Sequence, residues 1–148
     1  MALIDFTILT DIDRPVGDVF AYVTDPSKLH TWQTNTVSAL VVGGGPVGLG
    51  SRVVEVHRAP GGKEISQVVE FWEFEPDRRV SIRVVEGPMP IDGRLKFERR
   101  DGGTRMSFNV YGQPGGPLRF ARPIMQWALK RQFAGYCATL KRLMEAGD

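Results

Sequence analysis

The sequence predicts an α+β fold in which a curved, seven-stranded antiparallel sheet wraps around one long C-terminal helix. Three observations predict this fold. An alternating strand pattern opens the chain, short strand-like runs separated by turns fill its middle, and a helical pattern of apolar residues ends it. The predicted order of elements is β-α-α-β-β-β-β-β-β-α, in a single domain that spans residues 1–148.

The first strand is predicted at residues 3–11, where apolar and polar residues alternate. The segment Asp13-Arg14-Pro15 then carries a capping carboxylate and a proline suited to a first helical turn. Apolar residues at helical spacing follow, so a short helix is predicted to end near Thr24. The break at Asp25-Pro26-Ser27 starts a second short helix.

Six more strands are predicted in the middle of the chain, where strand-like runs alternate with glycine, proline and aspartate clusters. The runs are Thr36 to Val42, Ser51 to Arg58, Glu64 to Glu75, Arg79 to Glu86, Ile91 to Arg100 and Thr104 to Tyr111. Parallel neighbours would need long crossover connections, and the connections here are short. The strands are therefore predicted to form an antiparallel meander.

A long helix is predicted from Leu118 to about Glu145, because apolar residues recur there at helical spacings. Pro123 predicts either a kink or a late start of this helix. Phe120, Ile124 and Trp127 lie opposite the main apolar stripe. This second apolar face is predicted to border a cavity mouth or to form a subunit contact.

The predicted arrangement leaves room for a ligand. A sheet of seven strands does not stay flat, and its apolar face needs a cover. One long helix is the available cover, so a space between helix and sheet is predicted to form a cavity.

Composition and charge argue against several classes of function. The net charge of +2 comes from 19 basic and 17 acidic residues without a basic stripe, which disfavours nucleic-acid binding. One cysteine and two histidines do not supply a usual metal site, and we expect neither metal nor cofactor. The chain shows neither a signal-peptide pattern nor an apolar run of about 20 residues, so we expect a cytoplasmic protein without stable membrane insertion.

The segment Gly43-x-Gly45-x-x-Gly48 matches the dinucleotide-binding fingerprint letter by letter. That fingerprint requires a helix directly after the glycines, but residues 51–58 are strand-like. Pro46 also removes an N–H donor from the supposed phosphate cradle. The Gly43 to Gly50 segment is therefore predicted to connect two strands, and as a flexible loop to gate the cavity entrance.

The order of the elements and five segments of the chain resemble the START-like (SRPBCC) superfamily of helix-grip proteins. The segments are RPVGDVFAYVTDPSKLHTWQ, GPVGLGSR, FWEFEPDRRVSIRV, GGTRMSFNV and LKRLMEAG. Within that superfamily the chain looks like the bacterial polyketide cyclase/dehydrase and lipid-transport branch. The resemblance covers nearly the whole chain and implies a helix-grip (START/Bet v 1-like) fold. It also implies a cavity for a hydrophobic lipid-, polyketide- or aromatic-like molecule.

The resemblance does not imply one reaction, because a fold alone does not fix function. Binding or carriage of a hydrophobic small molecule is the favoured hypothesis, and a polyketide cyclase, aromatase or dehydratase is the alternative. A third hypothesis is an interaction protein with a collapsed cavity. We expect the protein to be a monomer or a homodimer, and we expect a hydrophobic small molecule to be its partner. The predicted ligand-binding residues are Trp32, Phe71, Ile82, Phe97, Phe108, Trp127 and Leu129.

The enzymatic alternative has four candidate catalytic residues, Glu55, His57, Glu73 and Arg83. Glu55 and His57 project from the same face of one strand, where they can form an acid/base pair. Valines on both faces of that strand leave open whether the pair faces the cavity or water. Glu73 would need hydrogen bonds if it faced inward, and a solvent-facing position is the alternative. Arg83 offers a planar fork of donors to a ligand, or else forms a surface ion pair.

Overall fold

The secondary structure follows the predicted order in a computed structural model that describes residues 3–113 and 120–147. The elements are β1 (Ile4–Ile12), α1 (Val16–Val23), a 3₁₀ turn (Pro26–Lys28), α2 (Leu29–Trp32), β2 (Thr36–Val41), β3 (Arg52–Arg58), β4 (Glu64–Glu75), β5 (Arg79–Glu86), β6 (Ile91–Arg100), β7 (Gly103–Gly112) and α3 (Arg122–Ala146). Strands β4, β5 and β6 have the predicted bounds. The predicted helix start at Leu118 lies outside the described residues.

The seven strands form one antiparallel sheet in the order β1-β7-β6-β5-β4-β3-β2. Strands β2 to β7 pair with their neighbours in sequence, which confirms the predicted meander. Strand β1 joins the last strand, in a ladder from Ile4 opposite Gly112 to Ile12 opposite Thr104. The two ends of the strand sequence therefore lie side by side, and β2 forms the far edge.

Helix α3 covers the concave face of the sheet, and its two halves are held differently. Four buried side chains anchor the C-terminal half: Tyr136, Cys137, Leu140 and Met144. The N-terminal half is tied to the start of β1, where Arg122 Nη1 donates to the Leu3 carbonyl at 3.0 Å. Pro123 lies in the first turn, so this proline begins the helix and does not kink it.

Arg14 fastens the C-terminal end of α3 to the start of α1. Its Nη1 atom donates to the carbonyls of Met144 at 2.8 Å and Gly147 at 3.1 Å. Its Nη2 atom also lies 3.0 Å from the carboxylate of Asp18 on α1. A cation that satisfies the last carbonyls of a helix also complements its dipole. Helix α3 is therefore fixed at this end.

Helix α1 closes one end of the fold by packing on aromatic side chains of the sheet. The ring centroid of Phe20 lies 5.4 Å from Phe74 and 5.2 Å from Phe97, both in edge-to-face geometry. Phe97 thus belongs to the core under α1.

A β-bulge interrupts the pairing of β4 with β5 between Phe71 and Glu73. Phe71 lies opposite Ile82, but Glu73 lies opposite Ser81, so the extra residue turns Glu73 to the outer face of the sheet. Phe71 and Phe74 both face inward as a result, with ring centroids 6.2 Å apart. The bulge explains why aromatic residues occur on both sequence parities of this strand.

The second apolar face predicted for α3 lies at the surface, where Phe120, Ile124 and Trp127 are 77%, 72% and 63% exposed. The guanidinium of Arg131 lies 5.6 Å from the Trp127 ring centroid. Among the described residues, no helix combines the length and the apolar composition needed to cross a lipid bilayer.

Candidate functional site

A cavity of about 250 Å³ lies between the sheet and the middle of α3, from Leu129 to Tyr136. Its wall is mostly apolar, and the residues concerned include Val69, Ile82, Val84, Met89, Ile91, Phe108, Val110, Leu129 and Phe133. A smaller pocket of about 50 Å³ adjoins it under α2. The two share wall residues, namely Leu29, Gln33, Glu55, Ile82 and Phe108. The two pockets therefore lie side by side along one stretch of wall.

Strand β3 directs Glu55 and His57 into this cavity. Val53, Glu55 and His57 face inward, and Glu55 is only 7% exposed. The sequence left this orientation open because Val54 and Val56 occupy the other face of the strand. The structure places Glu55 and His57 together at the cavity wall.

The carboxylate of Glu55 is the centre of a small polar network. Its Oε1 atom lies 2.8 Å from His57 Nε2 and accepts a hydrogen bond from Gln67 Nε2 at 3.1 Å. His57 Nδ1 lies 3.3 Å from Thr36 Oγ1. When Nε2 carries the proton and donates to Glu55, Nδ1 accepts from the Thr36 hydroxyl. The arrangement holds the imidazole and the carboxylate in one orientation.

A tyrosine and an asparagine join α3 to the connection between α2 and β2 beside the cavity. The hydroxyl of Tyr136 donates to Asn35 Oδ1, and both residues line the cavity. Burial raises the pKa of Tyr136 to about 12. Trp32, beside the smaller pocket, is buried, and its indole N–H has no hydrogen-bond partner within the described part of the chain.

Tyr136 should make the stability of the protein depend on alkaline pH. An unfolded tyrosine has a pKa of about 10, so the raised pKa of the folded state adds stability that is complete below pH 10. That contribution is lost as the pH rises towards 12, the folded pKa of Tyr136. Urea unfolding from pH 8 to 11 should therefore show a shallower loss of stability for Tyr136→Phe than for the unmodified protein. Tyr111→Phe is the control, and an equal flattening by both variants would contradict the prediction.

The structure separates Glu73 and Arg83 from the cavity pair. Ser81 Oγ donates to Glu73 at 2.7 Å on the outer face, where the bulge of β4 places this carboxylate. Arg83 borders the cavity, but its guanidinium lies 2.8 Å from Glu70 on the outer face. The hydrogen bond from Arg83 holds the pKa of Glu70 below its usual value. Glu73 and Arg83 are therefore paired with other side chains of the sheet, Ser81 and Glu70 respectively.

Five of the seven predicted ligand-binding residues line the two pockets. Ile82 and Phe108 line both, Trp32 and Phe71 the smaller one, and Leu129 the larger one. The structure places the other two elsewhere. Phe97 packs on Phe20 in the core under α1. Trp127 faces outward on α3, because it lies on the side of the helix opposite the sheet.

Sequence reasoning missed many of the wall residues, among them Gln67 and Met89. Gln67 has the same parity on β4 as Val69 and Phe71, and this parity was the signal that it faces inward. Met89 belongs to the connection between β5 and β6.

The Gly43 to Gly50 connection joins β2 to β3 as predicted and lines neither of the two pockets, and gating of the cavity entrance by this loop stays a prediction. Gly43, Gly44 and Gly45 adopt φ values of 82°, 74° and 81°. Residues with a side chain rarely adopt this backbone conformation. The three glycines therefore allow the turn between β2 and β3.

Comparisons with known proteins agree with this architecture. Residues 4–145 match the family model described as polyketide cyclase / dehydrase and lipid transport. No curated protein matches the chain. Among solved structures, it is similar to TTHA0849 from Thermus thermophilus, with a TM-score of 0.78 and 20% identity over 93% of this chain and 94% of that one.

Two further structures share the fold. The di-domain ARO/CYC StfQ from the steffimycin biosynthetic pathway matches with a TM-score of 0.80 and 14% identity over 98% of this chain. The match covers 51% of StfQ, so this chain spans about half of that protein. Ara h 8.0201 matches with a TM-score of 0.73 and 14% identity over 98% of this chain and 99% of that one. These structural similarities confirm the predicted helix-grip (START/Bet v 1-like) fold.

Proposed function

We propose that this chain, which belongs to the polyketide cyclase/dehydrase and lipid-transport family, binds a small and mainly apolar molecule in the cavity under α3. The observation that carries the proposal is the cavity of about 250 Å³ with its mostly apolar wall. A cavity of about 150 Å³ is large enough for benzene. The site therefore suits a molecule of about two fused rings.

Aromatic side chains pack on one another in the wall and hold it in shape. Phe108 lies between two aromatic partners, with its ring centroid 6.4 Å from Trp32 and 5.2 Å from Phe133. A preformed wall reduces the entropy cost of binding. Each ligand methylene removed from water adds about 0.8 kcal/mol of favourable free energy.

The polar side chains around Glu55 make one part of the cavity wall polar, while most of the wall is apolar. Glu55 and His57 come from β3 and Gln67 comes from the neighbouring strand β4, so the three lie together on one part of the wall. Pockets of this type use a few polar groups to orient a ligand that is held mainly by apolar contact. The ligand of this cavity is therefore expected to carry a polar group at one end.

Naphthalene is a suitable probe for the proposal, and its binding can be followed by amide chemical shifts of the isotope-labelled protein. Leu129→Trp fills the cavity from α3, so it should weaken naphthalene binding at least about tenfold, a loss of roughly 1.4 kcal/mol. Leu9→Trp is the matched control, because Leu9 is exposed on β1. Equal binding by Leu129→Trp, or no binding to the unmodified protein, would contradict the proposal.

A second candidate function is catalytic, as a polyketide cyclase, aromatase or dehydratase. The 2.8 Å contact between Glu55 and His57 in an apolar cavity favours it. Glu55 can take a proton from a carbon beside a ligand carbonyl, and a protonated His57 can give a proton to a hydroxyl that leaves as water. Turnover of a poly-β-ketone should then disappear in Glu55→Ala and His57→Ala while naphthalene still binds. Unchanged turnover would exclude the pair as catalysts.

A further inference from the structure

We infer that Glu55 selects neutral ligands that carry a hydroxyl group and rejects ligands that carry a carboxylate. The inference rests on the proposed binding function and names the chemical class of ligand for the same cavity. Glu55 lines both the larger cavity and the smaller pocket. A ligand that occupies either one meets this carboxylate.

One carboxylate oxygen of Glu55 has hydrogen-bond partners in the protein, and the other has none among the described residues. Oε1 accepts from Gln67 Nε2 and contacts His57 Nε2. Oε2 has no hydrogen-bond partner among residues 3–113 and 120–147. An ionised carboxylate accepts hydrogen bonds and donates none. The oxygen available to a ligand therefore requires a donor, such as a hydroxyl group.

The partners of Glu55 fix the direction of this acceptor. Gln67 and His57 hold Oε1 from two directions, and Thr36 holds the far side of the imidazole at 3.3 Å. Glu55 itself is 7% exposed, so little water competes for its free oxygen. A hydrogen bond from a ligand hydroxyl to a carboxylate is charge-assisted and stronger than one between neutral groups.

Among the described residues, the cavity wall has no unpaired lysine or arginine side chain that could balance the charge of a ligand carboxylate. Arg83 is the only arginine or lysine among the described wall residues, and it forms an ion pair with Glu70 at 2.8 Å. Both ring nitrogens of His57 face protein partners, Glu55 on one side and Thr36 on the other. A carboxylate beside Glu55 would bring two like charges together away from water, which is costly.

Three probes of nearly equal size separate the effect of a hydrogen-bond donor from the effect of a negative charge on the ligand. They are 2-naphthol, 2-methoxynaphthalene and 2-naphthoate. We expect the full-length protein to bind 2-naphthol at least about tenfold more tightly than 2-methoxynaphthalene, which lacks the donor. We expect 2-naphthoate to bind at least about tenfold more weakly than 2-methoxynaphthalene. Isothermal titration calorimetry at neutral pH measures all three affinities.

Glu55→Gln tests whether the discrimination arises at this carboxylate. Glutamine has the shape of glutamate but no charge, so the variant should bind 2-naphthoate about tenfold more tightly than the unmodified protein and lose most of the preference for 2-naphthol. Glu64→Gln is the matched control, because Glu64 is exposed at the start of β4 and lines neither pocket. Its affinities should equal those of the unmodified protein.

The outcomes distinguish a failure of the inference from a failure of the binding function. Equal affinities of the three probes, or tightest binding of 2-naphthoate, would overturn the selective role of Glu55 and leave the binding function intact. Unchanged selectivity in Glu55→Gln would overturn it as well. If neither naphthalene nor any of the three probes binds, the binding function itself is wrong. If Glu55→Gln does not fold, the comparison of the probes on the unmodified protein decides.

Discussion

Leu140→Ala should lower the free energy of unfolding by about 3–4 kcal/mol, while Leu129→Ala should lower it by about 1 kcal/mol or less. Leu140 is fully buried in the half of α3 that is anchored to the sheet, so its truncation leaves a cavity in a packed core. Leu129 lies on the same helix but is only partly buried and borders a cavity that already exists. Urea unfolding followed by circular dichroism measures both values.

The two leucine variants test whether α3 has separate structural and ligand-binding halves. They share the residue type, the helix and the substitution, so differences in helix propensity cancel. Similar losses of stability at both positions would show that the N-terminal half of α3 is packed as firmly as the C-terminal half. A larger cavity in Leu129→Ala should still bind naphthalene.

Gly103→Ala should destabilise the protein by about 2–3 kcal/mol, because an added methyl group has no room. A Cβ atom at this position would lie 2.7 Å from the backbone oxygen of Ile12, at the end of the β1–β7 ladder. A backbone atom cannot rotate away as a side chain can, so the ladder itself would have to shift.

Gly48→Ala is the control for this prediction. No atom lies within 4 Å of a Cβ built at Gly48, so the same substitution meets open space there. It should leave stability unchanged or raise it by about 0.5 kcal/mol by restricting the unfolded chain. Thermal unfolding of the two variants measures the difference, and equal melting temperatures would be inconsistent with a steric requirement at Gly103.

The fold could be predicted from the sequence because its signals are local. Alternation of apolar and polar residues, turn residues between the runs, and the helical stripe near the C-terminus each depend on neighbouring residues. The bounds of β4, β5 and β6 follow from these patterns alone. The curvature of the sheet around α3 follows from the number of strands, because a sheet of seven strands does not stay flat and one long helix is the available cover.

The site could be predicted only in part, because its geometry depends on pairing between strands. Because valines lie on both faces of β3, the sequence does not indicate which face Glu55 and His57 share with the cavity. The bulge in β4 reverses the parity between Phe71 and Glu73, and nothing in the local sequence marks it. The partners of Glu55 and His57 come from β4 and β2, so the network appears only once the register of the sheet is known.

The polar network around Glu55 has a consequence for how this scaffold can change. Glu55, His57 and Gln67 lie on β3 and β4, whereas Leu140 and Met144, which anchor the C-terminal end of α3, line neither pocket. Substitutions in the network alter the chemistry offered to a ligand and leave the packing of Leu140 and Met144 in place. Glu55, His57 and Gln67 are therefore the positions at which natural divergence, or the design of receptors from this fold, can change ligand specificity.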